Sequence, residues 1–263
     1  MRNRLVYILL ILSLGVQAQQ LQLIDSLQIA EPLSVSMDRL GNFYLVSKNG
    51  TIKKYNSRNQ FENDFSPQKV GRPSLIEAWN PLRLFVFYEG LQEYLFLDRF
   101  MTSANRFNVR EITDYAGLVT VSADNNLWLI DLTEFGLKKF NTTFNQVTIS
   151  TPFDLLLDPE RYDISHIREY QNLVFVSDRE SGILIFDNLG NYLRKLPYKK
   201  VAYFNFHESM IYFVEGGHFK LIDIYTGETS TYPAPAQSAF SLYDGKIVRF
   251  FLPKQVQICE LRP

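Results

Sequence analysis

Cysteine is all but missing from this chain, with Cys259 the only one in 263 residues. No disulfide can form within one molecule, so the folded state must rest on packing. Cys259 lies in the last apolar strand of the sequence, where it is expected as a small buried hydrophobe rather than a reactive thiol. An excess of one charge is missing too: 27 basic residues face 28 acidic ones, for a net charge of -1. That balance offers no footprint for nucleic acid or anionic lipid. Histidine is scarce, and His166, His207 and His218 make no His-x-His spacing. A zinc site would have to be assembled from distant residues, so no metal and no cofactor is expected.

Long apolar runs are confined to one place. Arg2 and Arg4 precede a run from Leu5 to Val16, and Val16-Gln17-Ala18 puts small residues where a signal peptidase reads them. The expectation is a cleaved secretory signal over residues 1–18, cut between Ala18 and Gln19. The run is shorter than the roughly 20 residues a membrane span needs, and no later segment approaches that length. Direct membrane insertion is therefore not expected, and no cysteine at the cleavage position is there to be acylated. If the protein sits at a membrane, a partner holds it there. What is abundant is apolar and aromatic material, 46% and 14% of the chain, which is enough for a large core and argues against disorder.

The apolar residues are organised as a repeat. A four-residue apolar strand, a polar turn and a second alternating strand recur six times, with the first member at FYLV from Phe43, LFVF from Leu84, LWLI from Leu127, LVFV from Leu173, IYFV from Ile211 and IVRF from Ile247. The partners are TIKKY, EYLFLD, GLKKF, ILIFD, FKLID and VQICE. Shorter strands precede them, such as SLIEAW, LVTVS, AYFNF and AFSLY, and more polar ones follow, such as NQVTIS, NYLRKL and GETSTY. Four short strands every 40 or so residues is the rhythm of a β-propeller blade.

The sixth copy stops before a fourth strand, and QLQLIDSLQIA at the other end supplies one. The reading is an all-β, six-bladed propeller over residues 19–263, with blades near 33–66, 73–110, 117–151, 162–198 and 201–235. The last blade joins 238–261 to 20–30, so that neither terminus leaves a free sheet edge. Only Asp154 to Asn172 suggests a helix. Pro152 and Pro159 punctuate it, and it reads better as a long connection ending in the inner strand ISHIRE.

Blade one, DRLGNFYLVSKNGTIKKYN, and blade four, VFVSDRESGILIFDNLGNYLRKL, resemble the NHL class of six-bladed propellers, where Asp-x-x-Gly-Asn precedes the second strand and an apolar strand ending in Phe-Asp leads into a glycine turn. The other blades keep only the strand rhythm. The chain is also similar to small exported propellers of Bacteroidota. The NHL resemblance implies a binding scaffold more often than an enzyme, with function carried by loops at the ends of the channel.

Six-bladed propellers also include calcium-dependent lactonases and glycosidases, whose ligands converge on the channel. The residues that could do so here are Glu77, His166, Glu169, Asn205 and Glu208. A hard cation wants six to eight oxygens, and no two of these carboxylates stand out in sequence as an acid and base pair. SADNNLW, Ser122 to Trp128, is similar to the sialidase box but one residue short, with Asn126 in place of its glycine. Asp187 to Asn191, which has the look of a metal loop, is expected to be the hairpin between the third and outer strands of blade four, far from the channel.

Exposed aromatic and arginine residues would favour a protein-binding face, and Trp79, Arg83, Tyr88, Tyr203 and His207 are the candidates. The expectation is a non-catalytic, protein-binding scaffold, exported to the periplasm or the periplasmic face of the outer membrane. Its partner would be an envelope protein, within an outer-membrane or secretion complex to which this chain is an accessory. The alternatives are a channel-site hydrolase or lactonase, and a carbohydrate-binding propeller.

Overall fold

The computed structural model describes residues 20–67, 71–102 and 104–262. The expected signal segment and its expected cleavage position at Ala18 and Gln19 lie outside the described residues. Among those described, the chain forms six antiparallel four-stranded sheets arranged as a six-bladed β-propeller. It enters through β1 (Gln20–Gln28). Blade 1 is β2 (Pro32–Met37), β3 (Phe43–Ser47), β4 (Ile52–Tyr55) and β5 (Phe61–Phe65). Blade 2 is β6 (Leu75–Glu77), β7 (Arg83–Tyr88), β8 (Glu93–Asp98) and β9 (Ala104–Asn108). Blade 3 is β10 (Ala116–Val121), β11 (Leu127–Asp131), β12 (Gly136–Asn141) and β13 (Gln146–Pro152). Blade 4 is β14 (Ile164–Tyr170), β15 (Leu173–Asp178), β16 (Gly182–Asp187) and β17 (Tyr192–Leu196). Blade 5 is β18 (Phe204–His207), β19 (Met210–Glu215), β20 (His218–Asp223) and β21 (Thr229–Pro233). Blade 6 is β22 (Phe240–Tyr243), β23 (Ile247–Phe251) and β24 (Gln255–Arg262), with β1 as its outer strand.

The burial gradient explains the sequence rhythm. Middle strands are covered on both faces by neighbouring blades, so they read as unbroken apolar runs: every residue of FYLVS in β3 and LWLID in β11 is buried. Outer strands face solvent and turn polar, as YLRKL does in β17. Three inner strands, β2, β10 and β14, each slip register by one residue near their start. These bulges bend the strand where it meets the channel.

The ring closes through eight residue pairs between β1 and β24, from Gln20 opposite Arg262 to Gln28 opposite Gln255. A second device crosses the same seam. Arg249 of β23, 2% exposed, donates from Nε to Asn59 Oδ1 at 2.8 Å and from Nη2 to the Ser57 carbonyl at 3.0 Å, both in blade 1, while Nη1 reaches Asp244 Oδ2 at 3.0 Å. The guanidinium also lies over the Phe43 ring. Cys259 is a buried free thiol whose pKa burial pushes up, so it contributes packing here rather than cross-linking.

Antiparallel pairing puts the turns between first and second strands, and between third and fourth, at one end of the disk. We refer to that end as the upper face.

Candidate functional site

The upper face is hollowed where the inner strands of blades 2, 3 and 4 end. β6 stops at Glu77, and the chain leaves the sheet at Ala78, whose N–H donates to Ser36 Oγ of blade 1 at 3.0 Å. Asn80 then shapes the turn, its Oδ1 accepting from Leu82 N at 3.0 Å and its carbonyl from Arg83 N at 3.1 Å. Trp79 stands out of this turn at 38% exposure. Arg83 opens β7 and lays its guanidinium 3.3 Å above the centre of the Phe96 ring. Glu77, Trp79, Asn80, Arg83 and Phe96, with Val121–Ala123, Asn125 and Arg168–Gln171, line a cleft of about 440 Å³, within the range typical of ligand pockets.

Strand alternation sends successive residues of β14 in opposite directions. Glu169 turns to blade 3, where Oε2 accepts from Ser122 Oγ and from Trp128 Nε1, each at 2.5 Å, and Oε1 accepts from Ala123 N at 3.2 Å. Ser122 and Trp128 belong to SADNNLW, and Asp124 of that stretch receives Asn126 N at 3.1 Å and pairs with Lys139 at 2.8 Å. The sialidase-like residues thus form a turn and a cradle for Glu169. Arg168 turns the other way. It is 3% exposed, donates from Nη1 to Asn205 Oδ1 of blade 5, and holds Nε 3.8 Å from Glu77 Oε1, an ion pair without a hydrogen bond. Its guanidinium carbon lies 5.6 Å from the centre of the Trp79 ring, and Arg39 of blade 1 lies 5.7 Å from the same ring.

Glu77 is the strained charge of the group. Burial raises its carboxyl above the usual carboxylate range, opposed by the Arg168 charge and by a hydrogen bond from Thr120 Oγ1, while the charge of Glu169 adds to the rise. His166 lies deeper. Burial first, and then Arg168, push its imidazole down to about 3, so it is neutral. Its ring centre sits 4.7 Å from those of Tyr203 and Phe204, and Nε2 is buried without a hydrogen-bond partner. Around His166, Arg168, Tyr203 and Glu77 the channel leaves no room for a water molecule. His166 is therefore a wall of the plug below the cleft.

Among the five candidate channel residues, Glu77 and Glu169 both line the cleft, and His166 and Asn205 lie in and beside the plug. Asn205 accepts from Arg168 and from Phe206 N and donates to Tyr203 Oη at 3.0 Å. Glu208 is exposed at the turn of blade 5, where its carbonyl receives Tyr170 Oη at 2.7 Å. It lines a second hollow of about 320 Å³, shared with Asp38, Arg39, His207 and Asp244 and walled off from the first by Trp79 and Tyr170. Those two rings meet edge to face at 5.6 Å.

The carboxylate pair that sequence spacing failed to single out thus exists in space. Among the described residues, no group of three histidine, cysteine or acidic side chains is placed to hold a metal ion.

The expected protein-facing residues separate. Trp79 and Arg83 are exposed at the mouth of the cleft, and His207 is half-buried beside Tyr243. Tyr88 and Tyr203 are 1% and 4% exposed, which corrects their assignment to a docking face. Tyr88 ends β7 at the opposite face, with its hydroxyl pKa pushed up to about 12 by burial. Tyr203 is packed in the plug. Arg168, Tyr170 and Phe96 are site residues that sequence reasoning missed. Alternation within ISHIRE was the available signal, since it places Arg168 on the same side as His166.

No protein-family model matches this sequence, and no curated protein does. Solved structures match in fold. The extracellular domain of the putative one-component system BT4673 from B. thetaiotaomicron is 14% identical with a TM-score of 0.58, covering 86% of this chain. This chain spans 32% of that protein's length. Virginiamycin B lyase from Staphylococcus aureus is 10% identical with a TM-score of 0.63, and 92% of this chain matches 100% of it. The β-propeller domain of Cps50 (Swd1) from Myceliophteria thermophila is 9% identical with a TM-score of 0.67, again over 92% and 100%. At these identities the likeness is one of fold.

Proposed function

We propose that this chain is a non-catalytic recognition propeller, exported to the periplasm or the periplasmic face of the outer membrane, whose upper face is the working surface. One observation carries the reading: Glu169, the carboxylate best placed to act beside Glu77, has both oxygens occupied by three donors of its own chain. A general base or nucleophile needs an oxygen presented to the substrate. The site is built to hold its charges still rather than to pass protons. Export is supported by the signal-like first eighteen residues and by the fold shared with an extracellular domain.

An envelope protein as partner is favoured by a crest beside the cleft. Leu40, Leu82 and Phe100 are 66%, 62% and 57% exposed, and they rim a groove between blades 1 and 2 together with Pro81 and Arg99. Apolar side chains gathered this way mark interaction surfaces. Affinity capture of the tagged protein from its native envelope is expected to retain a specific partner, and Leu82→Asp to lose it. Recovery of free monomer from both would overturn the docking reading. Turnover of a lactone or glycoside that is abolished by Glu77→Gln would overturn the non-catalytic one.

A further inference from the structure

The lining of the cleft narrows what it can bind. Its two acids, Glu77 and Glu169, are matched by two arginines, Arg83 and Arg168. Three of the four charges are answered within the chain: Glu169 by three donors, Glu77 by Thr120 and Arg168, and Arg168 by Asn205 and Glu77. The fourth, Arg83, is stacked on Phe96. An anionic ligand would meet two carboxylates, and a cationic one two guanidinium groups, so neither gains a net attraction. An extended peptide fares no better. Peptides gain affinity on sheets by pairing with a free strand edge, and the channel-side edges of the inner strands run into the plug, where a water molecule does not fit.

What remains is a neutral ligand with apolar faces and many hydroxyls. Phe85, Phe96, Val121 and Trp79 give the cleft apolar surface, and Arg168, Glu77, Asn80 and Asn125 put donors and acceptors around it. Hydroxyls both donate and accept, so they can use guanidinium and carboxylate together without disturbing the ion pair. We infer that the cleft binds the end of a neutral glycan, with Trp79 as the platform at its mouth and the Glu77–Arg168 pair as its polar floor. This rests on the reading of the upper face as a recognition surface, and it assigns the cleft a ligand class distinct from the protein docked on the crest.

The chain carries its own reporter. Of its two tryptophans, Trp79 stands in the mouth while Trp128 is 0% exposed and bonded to Glu169. The mature protein is titrated with maltotriose, cellotriose, chitotriose and xylotriose, with trigalacturonate as the anionic counter-probe, by tryptophan fluorescence and by calorimetry. At least one neutral trisaccharide is expected to give a saturable change, with trigalacturonate weaker by about tenfold or more. Trp79→Phe is expected to abolish the fluorescence change while keeping calorimetric affinity within about tenfold, and Trp79→Ala to weaken it by at least about tenfold. Unchanged Trp128 emission shows that each variant is folded.

Absence of binding across the neutral panel, tighter binding of trigalacturonate, or an unaltered affinity in Trp79→Ala would each overturn the inference. Leu82 lies outside the lining of the cleft. If envelope capture still depends on Leu82 when the sugars fail, the glycan falls and the recognition reading stands.

Discussion

Two five-residue turns of this protein, Asp38–Asn42 and Asp187–Asn191, read DRLGN and DNLGN and fold almost identically. In each, the aspartate Oδ1 accepts from the main-chain N–H two and four residues on, at 2.9 and 3.0 Å in the first turn and 2.9 and 2.8 Å in the second. In each, the asparagine Nδ2 donates to Oδ2, at 2.9 and 2.8 Å. The glycines sit at φ +79° and +82°, where a side chain is disfavoured. Even the leucines match, 66% exposed at Leu40 and 67% at Leu189.

The surroundings differ. The first turn joins the inner strand β2 to β3 at the edge of the second hollow, and the second joins β16 to β17 at the outer rim. Local chemistry makes the turn, and position in the blade decides whether it can touch a ligand.

Glycine replacement separates the two most strongly. A Cβ at Gly190 would come 2.5 Å from Ile149 Cγ2 and 2.8 Å from Thr151 Oγ1 of the neighbouring blade, whereas at Gly41 its nearest atom is Ser57 Cβ at 3.2 Å. Gly190 also accepts a hydrogen bond from Thr151 Oγ1 at 2.8 Å. Gly190→Ala therefore combines the left-handed penalty with overpacking and is expected to cost about 2–4 kcal/mol, against about 1–2 kcal/mol for Gly41→Ala. Urea unfolding of the two variants measures this, and equal losses would show that the contact between blades 3 and 4 has no energetic weight.

Aspartate replacement reverses the order. Asp38 is 3% exposed, so Asp38→Ala strands amides that water reaches poorly and is expected to cost about 2 kcal/mol. Asp187 is half-buried at the rim, where water can more readily replace its carboxylate, and Asp187→Ala should cost about 0.5–1 kcal/mol. Only Asp38→Ala is expected to weaken partner capture, because Arg39 and Leu40 move with that turn. Calcium binding, assayed by calorimetry, should be unaffected by Asp187→Ala.

Acid sharpens the case at the rim. Slight burial that would raise the Asp187 carboxyl is overcome by hydrogen bonds from the Asn191 side chain and from the main-chain N–H groups of Asn191 and Leu189, which hold its pKa below the ordinary value of 3.8. A depressed pKa means that the contribution is present above the unfolded value and lost as pH falls through the folded one. The stability gap between wild type and Asp187→Ala should hold from neutrality to about pH 4 and close below it. A gap that instead closes on raising the pH would contradict the hydrogen-bond assignment.

These contrasts show what was legible beforehand. The six blades were readable because β3, β7, β11, β15, β19 and β23 are squeezed between neighbouring blades, so burial on both faces writes a run of apolar letters that needs no partner to interpret. The turn at Asp187 was readable for a similar reason, since every hydrogen bond of its aspartate side chain is made within the turn. The cleft was not. Glu169 gains its meaning from Ser122 and Trp128, more than 40 residues away, and Arg168 from Asn205 in the next blade and Glu77 in blade 2, neither of them near it in sequence. Aromatics were ambiguous because blades consume them: Tyr88 and Trp79 both flank polar turn residues in sequence, yet one is buried and the other guards the mouth.

The smallest change should be the most discriminating, because the two turns differ only at their second residue, Arg39 against Asn188. Arg39→Asn makes the sequences identical without touching a hydrogen bond of either turn, so stability should fall by no more than about 1 kcal/mol. What it removes is the guanidinium 5.7 Å from the Trp79 ring, a cation–π contact worth about 0.5–1 kcal/mol at an exposed site. Trp79 would be less firmly held at the mouth, and affinity for the bound trisaccharide should fall by about two- to fivefold. The reciprocal Asn188→Arg places the same charge at the rim, over no tryptophan, and should change neither stability nor affinity. If the two substitutions shift binding by similar amounts in opposite directions, the effect is one of net charge; if only Arg39→Asn does, the turn of blade 1 is part of the recognition face and that of blade 4 is a joint.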